Sequence, residues 1–281
     1  MQHQRVALLT IGQPRSAAHP AVAASFDLLR SSLLRDGHSV SHFMWLTPPH
    51  TPLRSDDAGW LRALEVYKPT VLRFANDTLP CRPACRIRCD THGHDSAIEW
   101  LRQFYAVHRA YQFAKAHSTF DWFIRLRPDL LHLEPLPPLS SLSTEAAYVP
   151  RGVMTRAPAD QRNNDHLFVC PSGELCDRYF DTVARTYGRC EEGFRIRWPW
   201  QRLFSSAYTN GTLLLFDHAY TLARSEVSWG RPAGPECMRL DCSKDPHATG
   251  CVAPHLVGFV TRCEENARAW QHAEWMWLER K

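Results

Sequence analysis

The chain has 281 residues, 44% of them hydrophobic, with a formal net charge of +4 and ten cysteines. That length supports one large domain or two small ones around an ordinary core. The absence of a Lys/Arg-rich block gives no nucleic-acid footprint, and no apolar run approaches the roughly 20 residues that a bilayer span needs.

The N-terminus passes from Met1 into strand-like residues within a few positions, without a signal peptide's apolar stretch and cleavage site. A cytoplasmic protein is the default expectation. The cysteines and the N-x-T sequons at Asn76 and Asn210 point instead to an ER or Golgi lumen if an anchor precedes this sequence.

The first predicted strand is RVALLTIG, Arg5 to Gly12, followed by the turn GQPRS. A helix follows in which Ala23, Phe26, Leu29, Leu33 and Leu34 recur at helical spacing, stopped by Asp36-Gly37. Ser39 to Thr47 reads as a second strand, DDAGWLRALEVY as a short helix, and Pro69 to Ala75 as a third strand. Strand–helix–strand–helix–strand argues a parallel α/β sheet with helices on both faces.

A cysteine loop comes next, with Cys81, Cys85, Cys89, His92 and His94 close together. It is a candidate zinc loop, but C-x3-C-x3-C is not a standard zinc spacing, and free thiols or disulfides in a variable loop are the favoured reading. Ser96 to Ser118 is the longest helical segment, with an apolar stripe through Ile98, Leu101, Phe104, Tyr105, Val107, Tyr111 and Phe113.

Beyond it, AAYVP and the end of RNNDHLFVCP read as strands, GELCDRYFDTVARTY and WPWQRLFSSAYTNG as helices, and TLLLFDHAYTLAR as a late strand. From Ser225 the chain is loop-like, with Cys237, Cys242, Cys251 and Cys263 and a final Trp-rich helix. The expected organisation is one domain over residues 1–224 and an irregular, Cys-rich tail over 225–281 packed on it.

The candidate site centres on DWFIRLRPDLL, Asp121 to Leu131. Here Arg125 and Arg127 alternate with the apolar residues of a core strand, which ends in Pro128-Asp129. In an open α/β sheet, ligands bind beyond the carboxyl ends of the strands, and proline there ends the ladder. Period-two alternation puts both guanidiniums on one face, where they meet either an anionic ligand or acidic residues of neighbouring helices, because buried cations need partners. A carboxylate at the tip is a candidate ligand for Mg²⁺ or Mn²⁺.

The blocks ALLTIGQPRS, SHFMWLT, YKPTVLRF, DWFIRLRPDLL, NNDHLF and WPWQRLFSSAYTNG, in this order, resemble the GT-A-type nucleotide-sugar glycosyltransferase-like proteins of algae, bacteria and large viruses. The similarity runs in scattered blocks from Arg5 to Leu215, and Arg-x-Arg-Pro-Asp is its most specific part. It implies a Rossmann-like GT-A fold and an enzyme that moves a hexose or pentose from a nucleotide-sugar donor to a glycan, lipid or protein acceptor.

By the same resemblance, Gly12, Gln13 and Arg15 line the nucleotide pocket, Arg125 and Arg127 face the diphosphate, and Asp129 ligates Mn²⁺ or Mg²⁺, with His247 or His255 as a further metal ligand. Asp165 is the catalytic base if the enzyme inverts configuration, and Asn164, His166 and Trp200 lie on the acceptor side. Two departures stand out. Arg127 occupies the place of the first aspartate of an Asp-x-Asp signature, and Trp200 stands where a glutamate is common. They leave open a second expectation, a degenerate GT-A-like module that binds without turnover.

Overall fold

The computed structural model describes residues 3–14, 17–47, 58–75, 97–132, 134–150, 166–182, 184–185, 212–216, 220–225 and 238–240. Strand β1 (Arg5–Gly12) leads into helix α1 (Pro20–Arg35), strand β2 (Ser39–Leu46), helix α2 (Ala58–Tyr67) and strand β3 (Val71–Phe74). Helix α3 (Ala97–His117) then carries the chain to strand β4 (Trp122–Leu126). Three strands follow, β5 (Leu130–His132), β6 (Ala147–Pro150) and β7 (Leu167–Pro171), and then helix α4 (Glu174–Phe180). Strands β8 (Leu213–Phe216), β9 (Tyr220–Ser225) and β10 (Met238–Leu240) complete the set.

Seven strands form a mixed, mostly parallel sheet in the order β3-β2-β1-β4-β7-β6-β8, and β10-β9-β5 form a smaller one. Pairing is parallel from β3 through β4, antiparallel for β4–β7 and β7–β6, and parallel again for β6–β8. β1 is central, and its six residues Val6 to Ile11 are all buried. This is why it reads as an almost unbroken apolar run. Its alternation divides the core. Val6 and Leu8 pack with α1 and α2 residues such as Phe26, Leu29 and Tyr67, while Ala7, Leu9 and Ile11 pack with Leu101, Phe104, Val107, Ala110, Tyr111 and Ala114 of α3.

The helix ends follow from local chemistry. At the start of α1 the His19 ring accepts from the Ala21 N–H at 3.2 Å, with Pro20 in the first helical turn. Gly37 supplies the positive φ of 81° that lets the chain leave it. α3 and α4 are clasped by carboxylates. Asp177 accepts from the Tyr111 hydroxyl at 2.7 Å and from Lys115 Nζ at 2.8 Å, and Asp181 accepts from Gln112 at 2.9 Å and meets His108 Nδ1 at 2.8 Å. Burial by itself raises the Asp181 pKa, but the bonds from His108 and Gln112 and the charges of His108 and Arg185 hold it below the usual carboxylate value. A Cys170–Cys176 disulfide ties the end of β7 to α4.

Leu130–His132 forms a further short strand that pairs with β9. Two features depart from the sequence expectations. The single late strand expected in TLLLFDHAYTLAR is two strands, β8 and β9, in different sheets. Met238–Leu240, within the stretch expected to be loop-like, pairs antiparallel with β9.

Candidate functional site

The sheet itself selects the site. From β1 the chain winds outward through β2 to β3, and α3 then returns it to the other side of β1 as β4. The connections therefore diverge between β1 and β4, and a crevice at the carboxyl ends of such a strand pair is where open α/β sheets place ligands. β1 pairs with β4 up to Thr10 opposite Leu126, so Gly12 and the Arg127-Pro128-Asp129 segment emerge together at this edge.

The two segments touch. A Cβ on Gly12 would lie 3.2 Å from Pro128 Cδ, and Gly12 has φ of +139°. Steric fit and backbone conformation both call for glycine there. The adjacent cleft is small and is lined by Thr10, Phe26, Tyr67, Arg127, Pro128 and His132, among others. Gln13, next along the chain from Gly12, is exposed, and His166 is buried. The His166 carbonyl accepts from the Arg127 N–H at 3.0 Å, so the third sequence block joins the same edge.

The two strand arginines part company. Arg125 is wholly buried on the α3 side. Its Nη1 donates to the Tyr179 hydroxyl at 2.9 Å, and its guanidinium lies 5.6 Å from the Phe104 ring centroid. Tyr179 is held in turn by stacking on Phe168 at 3.7 Å. Arg125 thus backs the sheet and does not line the cleft, a correction to the expectation that it faces a donor diphosphate.

Arg127 follows the last residue of β4, where Arg127 to Leu130 turn into β5 (Leu130 N–H to Arg127 carbonyl, 3.4 Å). This turn swings its side chain out of the strand's alternation. Arg127 Nε and Nη2 donate to Asp129 Oδ1 and Oδ2, each at 2.9 Å, in a bidentate pair.

Behind the cleft sits a buried chain of polar groups that sequence reasoning missed. His42 Nδ1 lies 3.0 Å from the Tyr67 carbonyl, which only accepts, so Nδ1 carries the proton and Nε2 accepts from the Thr10 hydroxyl at 2.8 Å. Tyr67 donates its own hydroxyl to the Ala17 carbonyl at 2.9 Å. Burial lowers the His42 pKa to about 4, with the Tyr67 carbonyl opposing the shift and Arg30 adding to it. His42 is therefore neutral at physiological pH. The available signal was Thr10 itself, a polar residue interrupting the apolar run of a central strand.

Asp129 is the residue assigned to a divalent metal, and its surroundings do not suit one. Both of its oxygens already accept from Arg127, and its side chain is 1% exposed. A cation would have to displace the guanidinium from a carboxylate whose two oxygens are already matched to its fork. Among the described residues, no group of three or more His, Cys, Asp or Glu side chains is gathered so as to hold a metal ion. Arg15, Asn164, Asp165, Trp200, His247, His255 and the Cys81–His94 loop lie outside the described residues.

A mostly parallel α/β sheet with its cleft at the point of reversal defines a Rossmann-like protein. No protein-family profile and no curated protein matches the chain. Solved structures similar to it include the galactosyltransferase LgtC in complex with donor and acceptor sugar analogues, at 9% identity and a TM-score of 0.38 over 75% of this chain and 72% of that one. Another is a glycosyltransferase involved in glycosylation of the major capsid of PBCV-1, at 10% identity and a TM-score of 0.37 over 75% and 82%. A likeness this remote reaches no further than the α/β arrangement. No described helix is long and apolar enough to cross a membrane.

Proposed function

We propose that the chain is a glycosyltransferase that takes a hexose or pentose from a nucleoside-diphosphate donor and passes it to a hydroxyl of a glycan, lipid or protein. The observation that carries this reading is the contact of Gly12 with Pro128 at the sheet's point of reversal. It joins the Gly-Gln-x-Arg turn and the Arg-x-Arg-Pro-Asp tip, two motifs more than a hundred residues apart.

In this reading Gly12, Gln13 and Arg15 flank the nucleotide, and Arg127 faces the diphosphate. The bond between the anomeric carbon and the diphosphate oxygen breaks as the bond to the acceptor oxygen forms. The leaving nucleoside diphosphate keeps the electron pair, and a guanidinium beside it stabilises the developing charge. Asp165 takes the acceptor proton if the reaction inverts configuration, with Asn164, His166 and Trp200 on the acceptor side. Met238–Leu240, within the tail over 225–281, pairs with β9. The Cys170–Cys176 disulfide favours an oxidising compartment, such as the ER or Golgi lumen, over the cytoplasm.

The closed Arg127–Asp129 pair also favours a second reading, a module that binds a nucleotide sugar without turning it over. Incubation with a panel of UDP- and GDP-sugars, with release of nucleoside diphosphate as the readout, separates the two. Release from at least one donor is the expected result. Binding without release from any donor supports the module, and neither binding nor release ends both.

A further inference from the structure

We propose that the donor diphosphate is met by Arg127 without a bridging divalent cation, and that Asp129 is a positioning residue for that guanidinium instead of a metal ligand. The inference deepens the donor-site reading above and rests on it.

Three observations converge. Asp129 spends one oxygen on Nε and the other on Nη2, so the carboxylate fixes the plane of the guanidinium as well as its charge. The burial is unequal, with 1% of the Asp129 side chain exposed against 13% for Arg127. It is therefore the cation of the pair that retains solvent access, and the carboxylate lies behind it. The Arg127 backbone is also held from two directions, by its N–H on the His166 carbonyl and by its carbonyl on the Leu130 N–H. A group fixed at both its backbone and its side chain requires little reorganisation when an anion arrives.

The chemistry of the pair agrees with this order. Bidentate guanidinium contacts suit phosphate oxygens as well as carboxylates. A cation recruited by Asp129 would instead need Arg127 to move away, placing two positive centres at a tip where the structure holds a matched pair. Arginine at the position of the first aspartate in the sequence signature then supplies directly the positive charge that a carboxylate-bound metal would bring.

The test uses the full chain. UDP and GDP are titrated by calorimetry in EDTA and again in Mn²⁺, with wild type, Arg127→Met and Asp129→Asn, and the Mn²⁺ resonance spectrum is followed in the same mixtures. Wild-type affinities that agree within about twofold between EDTA and Mn²⁺ are expected, and Arg127→Met should weaken both by about tenfold or more. Asp129→Asn should weaken binding less than Arg127→Met and leave its metal independence intact. Addition of protein should leave the spectrum that Mn²⁺ shows with the nucleotide alone.

The inference is overturned by wild-type binding that needs Mn²⁺, by a Mn²⁺ spectrum changed by wild type and not by Asp129→Asn, or by Arg127→Met binding as wild type does. The comparison of EDTA with Mn²⁺ on wild type stands even if either variant misfolds. Absence of nucleotide binding in both buffers defeats the donor-site reading itself, and this inference with it.

Discussion

Arg125 is wholly buried against Tyr179 and Phe104, while Arg127, two residues further on, keeps 13% of its side chain exposed and pairs with Asp129. Alternation along a strand predicts that two such residues share a face. The prediction fails because β4 ends between them, and the turn through Pro128 re-aims everything after Leu126. A charge inside a ladder becomes part of the core, whereas a charge just beyond it can serve a ligand. The end of the strand, rather than the spacing of the charges, decides which arginine reaches the cleft.

The largest effect is expected from Arg125→Ala. It opens a cavity in the aromatic layer and removes the Tyr179 hydroxyl's guanidinium partner, for a loss of about 4 kcal/mol in stability, read as a fall in the urea midpoint. A variant as stable as wild type would show that the buried guanidinium does no structural work.

Arg127→Ala should cost about 3 kcal/mol because it strands a buried carboxylate, and Arg127→Ala/Asp129→Ala should recover at least about 1 kcal/mol of that loss. Additive losses in the two single variants would mean that the pair is not a unit.

The Thr10–His42–Tyr67 chain gives the fold a pH dependence with a definite sign. His42 binds its proton at about pH 4 in the folded protein, against an ordinary value of 6.5, so the unfolded chain takes up the proton first. That stability is present above pH 6.5 and is lost as pH falls from 6.5 toward 4, by on the order of 3 kcal/mol. Denaturation followed across this range should show the loss, and His42→Asn should flatten it. Equal slopes in the two proteins would assign the acid sensitivity to other groups.

A smaller effect is expected at Gly12. Gly12→Ala combines a positive φ with a 3.2 Å approach to Pro128 Cδ, and about 2 kcal/mol of destabilisation should appear as a lowered melting temperature. Pro128→Ala in the same background should return only the part due to crowding.

Much of the parallel half was legible in the sequence. β1 was delimited to the residue because a doubly buried strand writes an unbroken apolar run and Gly12 ends it. Helix α3 was legible from its apolar stripe, within one residue at either end. β5 and β10 were not, since three residues carry no measurable period, and their pairing with β9 is set by contacts far away in the chain. The close approach of the first-strand turn to the β4 tip was signalled by Gly12 and Pro128, a glycine and a proline each ending a strand. His132 and the Thr10–His42 bond were not, because they depend on how neighbouring strands and helices pack. The Cys170–Cys176 link was equally hidden, since it depends on a turn that brings the two Cα atoms to 5.5 Å.

A donor bound at the β1–β4 edge, and not in the α3–α4 layer, would shield the strand tips from solvent. Hydrogen exchange of the full chain with and without saturating UDP or GDP tests this placement most directly. Slowed exchange is expected in segments 10–14 and 127–131, with segments 101–117 and 174–182 unchanged. Protection confined to the α3–α4 segments, with the strand tips unaffected, would contradict that placement.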